Sequence, residues 1–141
     1  MRIYCDGVFD LFHVGHLESL KYIKNLYSDV TLIIGIISDK DTEMYKRKPI
    51  ICESHRKEMI LACRYVDLII ESAPLIITQE FMDQHQIDLV VHGFSNKQDS
   101  EAQKEFFKIP LKLGKFREIP YSTLESTTSI IERVYHRMSN R

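Results

Sequence analysis

The chain has 141 residues, of which 44% are hydrophobic and 28% charged, and its formal net charge at pH 7 is −1. This size and composition predict a single globular domain over residues 1–141 with a sizeable core. The near-neutral charge gives no reason to expect nucleic acid as a partner, and no apolar run is long enough to span a bilayer. Three cysteines without metal-like spacing, and no signal sequence before the first predicted strand, favour the cytoplasm.

Apolar runs and helical patterns alternate along the chain. Short apolar or β-branched runs predict five strands, at residues 1–5, 31–37, 67–70, 89–92 and 115–119. Helical spacing predicts five helices, one carrying Leu17, Leu20, Ile23 and Leu26 and the others at residues 54–63, 78–85, 100–108 and 126–138. The alternation predicts an α/β fold with a parallel, doubly wound sheet. Weak patterning at residues 39–53 and 94–112 is typical of functional or mobile loops.

Two histidines one helical turn apart lie where the first strand gives way to the first helix. His13 and His16 follow Asp6-Gly7, which we expect to end the strand. Ligands bind at this edge of open α/β sheets, and the free N–H groups of a helix N-terminus suit phosphate. Gly15 would let an anion approach the backbone closely. The arrangement predicts phosphoryl or nucleotidyl transfer; the alternative is that the histidines only cap the helix.

Three further clusters fall near predicted strand ends or a helix start: Lys46-Arg47-Lys48, His92-Gly93 and Ser126-Thr127-Thr128. The first, the basic triplet, is either a solvated charged loop or an anion contact on the same side as the histidines. The second ends a strand at the ligand edge. The third, the hydroxyl triplet, opens the last predicted helix, where capping and phosphate binding are both compatible with its residues.

The string YCDGVFDLFHVGH at residues 4–16 resembles the opening signature of the cytidylyltransferases, and it is closest to the phosphocholine and phosphoethanolamine enzymes. Three further matches follow in order. Lys46 falls where that family carries a lysine on a mobile loop, residues 64–67 match its R-Y-V-D segment, and the hydroxyl triplet matches the end of its R-T-x-G-x-S-T-[ST] signature. The resemblance runs from Arg2 to about Val134 and implies a Rossmann-like nucleotidyltransferase fold.

The resemblance also implies an activity, its partners and its site. It implies transfer of a cytidylyl group from CTP to a small phosphorylated amino-alcohol, with Mg²⁺ accompanying CTP, in a homodimer whose contact includes residues 64–67. The catalytic residues it implies are His13, His16 and Lys46, and no protein metal ligands are expected. Nucleotide contacts are implied for Gly7, Val8, Phe9, Gly15, Arg56, His92, Gly93, Ser126, Thr127 and Thr128.

The acceptor is less well determined than the nucleotide. Asp6 matches an aspartate that the choline and ethanolamine enzymes carry and the glycerol-3-phosphate enzyme lacks, and a carboxylate suits an ammonium head group. Leu75 replaces an aromatic residue that would favour a quaternary ammonium, so phosphocholine and phosphoethanolamine both remain candidates.

Other departures keep other functions open. Tyr121 stands at the signature's arginine and Leu124 at its glycine. The chain also shows no counterpart of the membrane-binding amphipathic extension of the animal choline enzyme. The alternatives are a related nucleotidyltransferase with another acceptor, such as glycerol-3-phosphate, and a non-catalytic nucleotide-binding module.

Overall fold

A single sheet of five parallel strands organises the structure, a computed structural model that describes residues 1–140. The strands are β1 (Arg2–Gly7), β2 (Thr31–Ile36), β3 (Leu68–Ile70), β4 (Leu89–His92) and β5 (Phe116–Glu118). Their order in the sheet is β3-β2-β1-β4-β5, and every neighbouring pair is parallel. The predicted α/β doubly wound sheet is confirmed, and each strand lies within two residues of its predicted bounds.

In the described part of the chain, seven helices surround the sheet: α1 (Val14–Lys24), α2 (Asp39–Tyr45), α3 (Glu53–Leu61), α4 (Gln79–Gln84), α5 (Lys97–Ala102), α6 (Lys108–Lys112) and α7 (Thr127–Ser139). The predicted helix at 100–108 is wrong as one element, because α5 ends at Ala102 and a 3₁₀ turn, Lys104–Phe107, leads into α6. The sequence pattern also did not predict α2. This helix buries only Thr42, so its apolar residues show no helical periodicity.

The end of β1 differs from expectation. Asp6-Gly7 was expected to end the strand, but both residues continue the ladder, Asp6 opposite Gly35 and Gly7 opposite Ile36. The long β2 beside them supplies backbone partners as far as Ile36, and this pairing outweighs the weak strand propensity of aspartate and glycine. The carboxylate of Asp6 is therefore fixed on the sheet itself.

Apolar side chains on alternate positions of the strands bury both faces of the sheet. Ile3 and Cys5 lie on one face and pack in a cluster with α1 and α3 through Leu20, Ile23 and Ile60. Tyr4 lies on the other face, in a cluster with α4 and the 3₁₀ turn through Met82 and Phe107. Each fully buried side chain of this kind contributes roughly 1.5–3 kcal/mol. The two clusters hold the central strands, and hence their carboxyl ends, in place.

The strand order creates a crevice between β1 and β4. The chain leaves β1 for β2 on one side, whereas β4 pairs with β1 on the other side. At such a switch point the connections diverge, and ligands bind outside the carboxyl ends of the two strands. Asp6-Gly7 and His92 occupy those ends. Within residues 1–140, none of the helices has the length and apolar character needed to cross a membrane.

Candidate active site

A cavity of about 520 Å³ opens at the crevice between β1 and β4. Its wall combines the ends of both strands, the loop before α1, the loop after α2 and the start of α7. All the site residues predicted from sequence except Arg56 line it, namely Asp6, Gly7, Val8, Phe9, His13, Gly15, His16, Lys46, His92, Gly93, Ser126, Thr127 and Thr128. Segments up to about 120 residues apart in the chain are thus brought to one place.

Arg56 is the exception, and the structure gives it a different role. Its side chain is fully buried and forms no part of the cavity wall. Its guanidinium donates to the carbonyls of Val8 at 2.7 Å and Ile51 at 2.9 Å, and it pairs with the Asp39 carboxylate at 2.6 Å. These partners occupy all three guanidinium nitrogens. Arg56 therefore fixes two site loops from behind, and the structure does not place it in the cavity wall with the other expected nucleotide contacts.

The two histidines use one ring nitrogen each to cap α1. His13 is the N-cap, and its Nδ1 accepts the N–H of Gly15 at 3.0 Å. In return, the N–H of His13 donates to Nδ1 of His16 at 3.2 Å, which completes a capping box. Since both Nδ1 atoms accept, the proton of each neutral ring lies on Nε2. Capping therefore does not compete with ligand binding; it leaves Nε2–H as a donor.

Burial keeps both rings neutral at pH 7. It lowers the pKa of His16 to about 3, with further contributions from the charges of His13 and Lys46. Burial also lowers the pKa of His13, and Glu125 opposes this effect. The ring centroids lie only 3.8 Å apart, so two imidazolium ions would repel each other strongly. The free site thus presents neutral donors, which can hydrogen-bond to phosphate oxygens.

The start of α7 packs directly against the start of α1. A Cβ at Gly15 would lie 2.6 Å from the carbonyl oxygen of Glu125, so only glycine allows this approach. We expected the missing side chain at Gly15 to let an anion approach the backbone, but the backbone of Glu125 fills that space. Thr127 completes the junction, because its hydroxyl donates to the Asp10 carbonyl at 3.0 Å and lies 3.4 Å from Nε2 of His13.

The N-termini of α1 and α7 consequently lie at the same wall of the cavity. We call it the anion-binding wall, and it consists of His13, His16 and the hydroxyl triplet. Ser126 caps α7, and its hydroxyl accepts the N–H of Ser129 at 3.0 Å. The hydroxyl triplet therefore caps its helix and also lines the cavity. Converging helix N-termini add partial positive charge and free N–H groups, which is the environment that phosphate requires.

Asp10 connects the two loops of the site. Its carboxylate oxygens accept the N–H groups of Ile50 and Ile51, both at 2.8 Å. These residues belong to the lysine loop, residues 46–52 between α2 and α3. Lys46 begins this loop and faces the cavity. Asp10 thereby fixes the loop that carries Lys46 against the loop that carries the histidines.

The other wall of the cavity, which we call the acidic wall, consists of Asp6, His92 and Asp99. Asp6 is only 6% exposed, and its Oδ1 has no hydrogen-bond partner within residues 1–140. Nδ1 of His92 lies 3.1 Å from that oxygen, but the two are not aligned for a hydrogen bond. The nearby charges of Asp6 and Asp99 add to burial in raising the pKa of Tyr45. This wall is suited to a cation.

Asp99 and Tyr121 also line the cavity, although the sequence predicted no site role for them. Asp99 accepts the N–H of Ser95 at 3.0 Å and the amide of Gln103 at 2.8 Å. It lies in the weakly patterned stretch at 94–112, where the cap pattern beginning at Asn96 was the available signal. Tyr121 contributes a neutral phenol, since burial and then Asp99 raise its pKa.

Comparison with known families agrees with this geometry. The family model described as Cytidylyltransferase-like matches residues 4–133, which is most of the chain. The chain belongs to this family.

Individual members of the family show the same relationship. The chain is 36% identical over 135 residues to choline-phosphate cytidylyltransferase 2 of Arabidopsis thaliana and 37% identical over 134 residues to choline-phosphate cytidylyltransferase of Saccharomyces cerevisiae. It is 33% identical over 134 residues to ethanolamine-phosphate cytidylyltransferase of Dictyostelium discoideum. Each match covers 95% of this chain but only 44%, 31% and 36% of the relative. The chain therefore spans less than half the length of these relatives.

A solved structure shares the fold. The lipopolysaccharide core biosynthesis protein from Thermoplasma volcanium superposes with a TM-score of 0.66 at 26% identity, covering 86% of this chain and 97% of that one. Most of the fold of this chain is thus shared with a solved structure of similar extent.

A magnesium site built by the protein does not fit the donors present. Within residues 1–140, no three Asp, Glu, His or Cys side chains cluster in a way that could hold a metal ion. The carboxylate of Asp10 is occupied by backbone N–H groups, and that of Glu125 by Arg133. Magnesium is commonly held by substrate phosphates and few protein groups.

The depressed pKa of His16 predicts how folding stability depends on pH. The unfolded state binds a proton near pH 6.5 but the folded state only near pH 3, so acid favours unfolding between these values. At about 1.4 kcal/mol per pH unit, His16 should remove roughly 3 kcal/mol of stability between pH 6.5 and pH 4. Urea unfolding of wild type and His16→Asn at both pH values measures this, because Asn retains the acceptor for His13. Equal acid sensitivity in the two proteins would contradict the assignment.

Proposed function

We propose that this chain is a catalytic domain that transfers a cytidylyl group from CTP to a phosphorylated amino-alcohol, phosphocholine or phosphoethanolamine. The observation that carries the proposal is the pairing of two unlike walls in one cavity. One offers neutral N–H donors and two helix N-termini, and the other a buried carboxylate whose Oδ1 accepts no hydrogen bond within residues 1–140. A nucleoside triphosphate suits the first, and a phosphorylated molecule with a cationic end can reach both.

The anion-binding wall provides for the chemistry at phosphorus. A phosphate oxygen of the acceptor attacks the α-phosphorus of CTP, and pyrophosphate leaves with the electron pair of the broken P–O bond. Nε2–H of His13 and His16 donate to phosphate oxygens as charge builds up, and Lys46 adds a permanent positive charge. Magnesium, if bound, would be held by the phosphates of CTP and would neutralise part of their charge. Donors fixed in advance by the capping box lose little freedom when substrate binds.

The acidic wall supports the choice of acceptor. The buried carboxylate of Asp6 has an oxygen without a hydrogen bond within residues 1–140, so a ligand that brings an ammonium group offsets part of the cost of burying it. Glycerol-3-phosphate has no positive charge to place beside Asp6. The curated relatives named for phosphocholine and phosphoethanolamine agree with an amino-alcohol and leave both open.

A panel assay tests the proposal directly. CTP is incubated with phosphocholine, phosphoethanolamine, glycerol-3-phosphate or no acceptor, and pyrophosphate release is measured. We expect turnover with one or both amino-alcohols and none without acceptor. Fastest turnover with glycerol-3-phosphate would overturn the acceptor assignment. Tight CTP binding without turnover on any acceptor would favour the non-catalytic module.

The histidines and Lys46 should act on turnover and not on folding. His13→Asn and His16→Asn keep an oxygen where Nδ1 caps α1 but lose the Nε2–H donor. A hydrogen bond to a charged group is worth about 1.5–3 kcal/mol, so each variant should lose at least about tenfold in kcat with a nearly unchanged thermal midpoint. Lys46→Ala should behave likewise, with Lys48→Ala as the mild control. Wild-type rates in the asparagine variants would count against this role.

Asp6 should bind the amino-alcohol and not CTP. Asp6→Asn is expected to raise the KM for the acceptor about tenfold or more while the KM for CTP stays constant, since a uniform binding interaction is removed. Because a buried charge also disappears, the thermal midpoint should stay equal or rise. The exposed Asp83→Asn is the control. A higher KM for CTP with an unchanged acceptor KM would place Asp6 on the nucleotide side.

We also propose a homodimer formed through residues 64–67 and the neighbouring edge of the sheet. β3 is an edge strand, and nearby side chains of Met59, Leu61 and Leu68 are exposed by 54%, 52% and 44%. Asp67 itself holds the sheet, since it accepts the N–H of Leu32 at 2.8 Å. Sedimentation at micromolar concentration should give twice the chain mass, and Leu61→Glu should give the monomer. A wild-type monomer would refute the dimer.

A further inference from the structure

Permanent positive charge is scarce in the cavity. Among the described residues of its lining, Lys46 and Arg47 are the only lysine and arginine, and the two neighbouring histidines of α1 are neutral. A triphosphate carries several negative charges and needs more compensation than one lysine supplies. Arg47 is therefore the second side chain that can supply permanent positive charge in the cavity.

The guanidinium of Arg47 reaches across from the lysine loop to α7. Its Nη2 donates to the hydroxyl of Thr128 at 3.2 Å, although 81 residues separate the two in the chain. Thr128 is the second residue of α7 and lines the anion-binding wall. This is the only hydrogen bond of the Arg47 side chain within residues 1–140, so most of its five N–H donors are free.

The side chain of Arg47 is exposed and lies beside the first turn of α7. The N-terminus of a helix carries partial positive charge, which attracts anions. An anion bound between the guanidinium and the first turn of α7 would be attracted by both. The location of Arg47 is therefore suited to a bound anion.

We propose that Arg47 binds the β- and γ-phosphates of the nucleotide together with the first turn of α7, and that this contact holds the lysine loop over the cavity. The inference rests on the proposed function for the identity of the nucleotide. Asp10 already fixes the loop at Ile50 and Ile51, so a contact at Arg47 holds its other end. Lys46 is the adjacent residue, so the same contact also positions its side chain.

Binding measurements on variants test the role of Arg47. Calorimetry with CTP, CMP and inorganic tripolyphosphate is carried out on wild type, Arg47→Gln, Arg47→Lys and the control Lys48→Gln. Lys48 is exposed and does not line the cavity. We expect Arg47→Gln to weaken CTP and tripolyphosphate about tenfold, since charge-assisted hydrogen bonds are lost, and Arg47→Lys to weaken them less. CMP, which lacks the two outer phosphates, should change by less than about threefold under the same reasoning.

The outcomes separate this inference from the proposed function. Unchanged CTP and tripolyphosphate affinity in Arg47→Gln, or an equal loss in Lys48→Gln, overturns the inference. An equal loss of CMP affinity in Arg47→Gln also overturns the inference, because Arg47 would then affect the whole cavity and not the outer phosphates. Tripolyphosphate binding that depends on Arg47, with no turnover of CTP on any acceptor, supports the inference and refutes the function. If the wild-type protein binds neither CTP nor tripolyphosphate, the inference and the proposed function are both refuted.

Discussion

The contact between the first turns of α1 and α7 is the constraint on which the site depends. The carbonyl of Glu125 lies where a side chain at residue 15 would project, so the absence of a Cβ at Gly15 determines how closely the helices approach. This approach places Thr127 against the Asp10 carbonyl and beside His13. Two helix N-termini then act on one volume. A larger residue at position 15 would separate them and weaken every contact across this wall.

The histidines show how capping and chemistry can share a side chain. Nδ1 of each ring accepts a backbone N–H of the first turn of α1, which fixes the ring and places the proton on Nε2. Burial then keeps the rings neutral, so their donors are present without the repulsion of two charges 3.8 Å apart. The arrangement makes the helix start rigid and uses that rigidity to hold donors ready for phosphate.

Charged groups outside the cavity hold its loops in place. Arg56 is the main example, because its guanidinium joins the loop before α1, the lysine loop and Asp39 at the start of α2. Removing one partner of a buried charged pair costs about 3–5 kcal/mol in general, so Arg56 stabilises the loops of the site although it does not line the cavity. By contrast, Oδ1 of Asp6 accepts no hydrogen bond within residues 1–140, although Nδ1 of His92 lies 3.1 Å away.

The sequence by itself determined the elements and motifs that local pattern encodes: the five strands, the longer helices with their caps, and the clusters around His13, Lys46 and Ser126. Tertiary structure alone decided the burial of Arg56, the proximity of Asp6 to His92, the continuation of β1 through Gly7 and the contact of Arg47 with Thr128. These joined residues are 17 to 86 positions apart, or depend on a neighbouring strand. Periodicity reports only which face a residue occupies on its own element, whereas packing determines which faces meet.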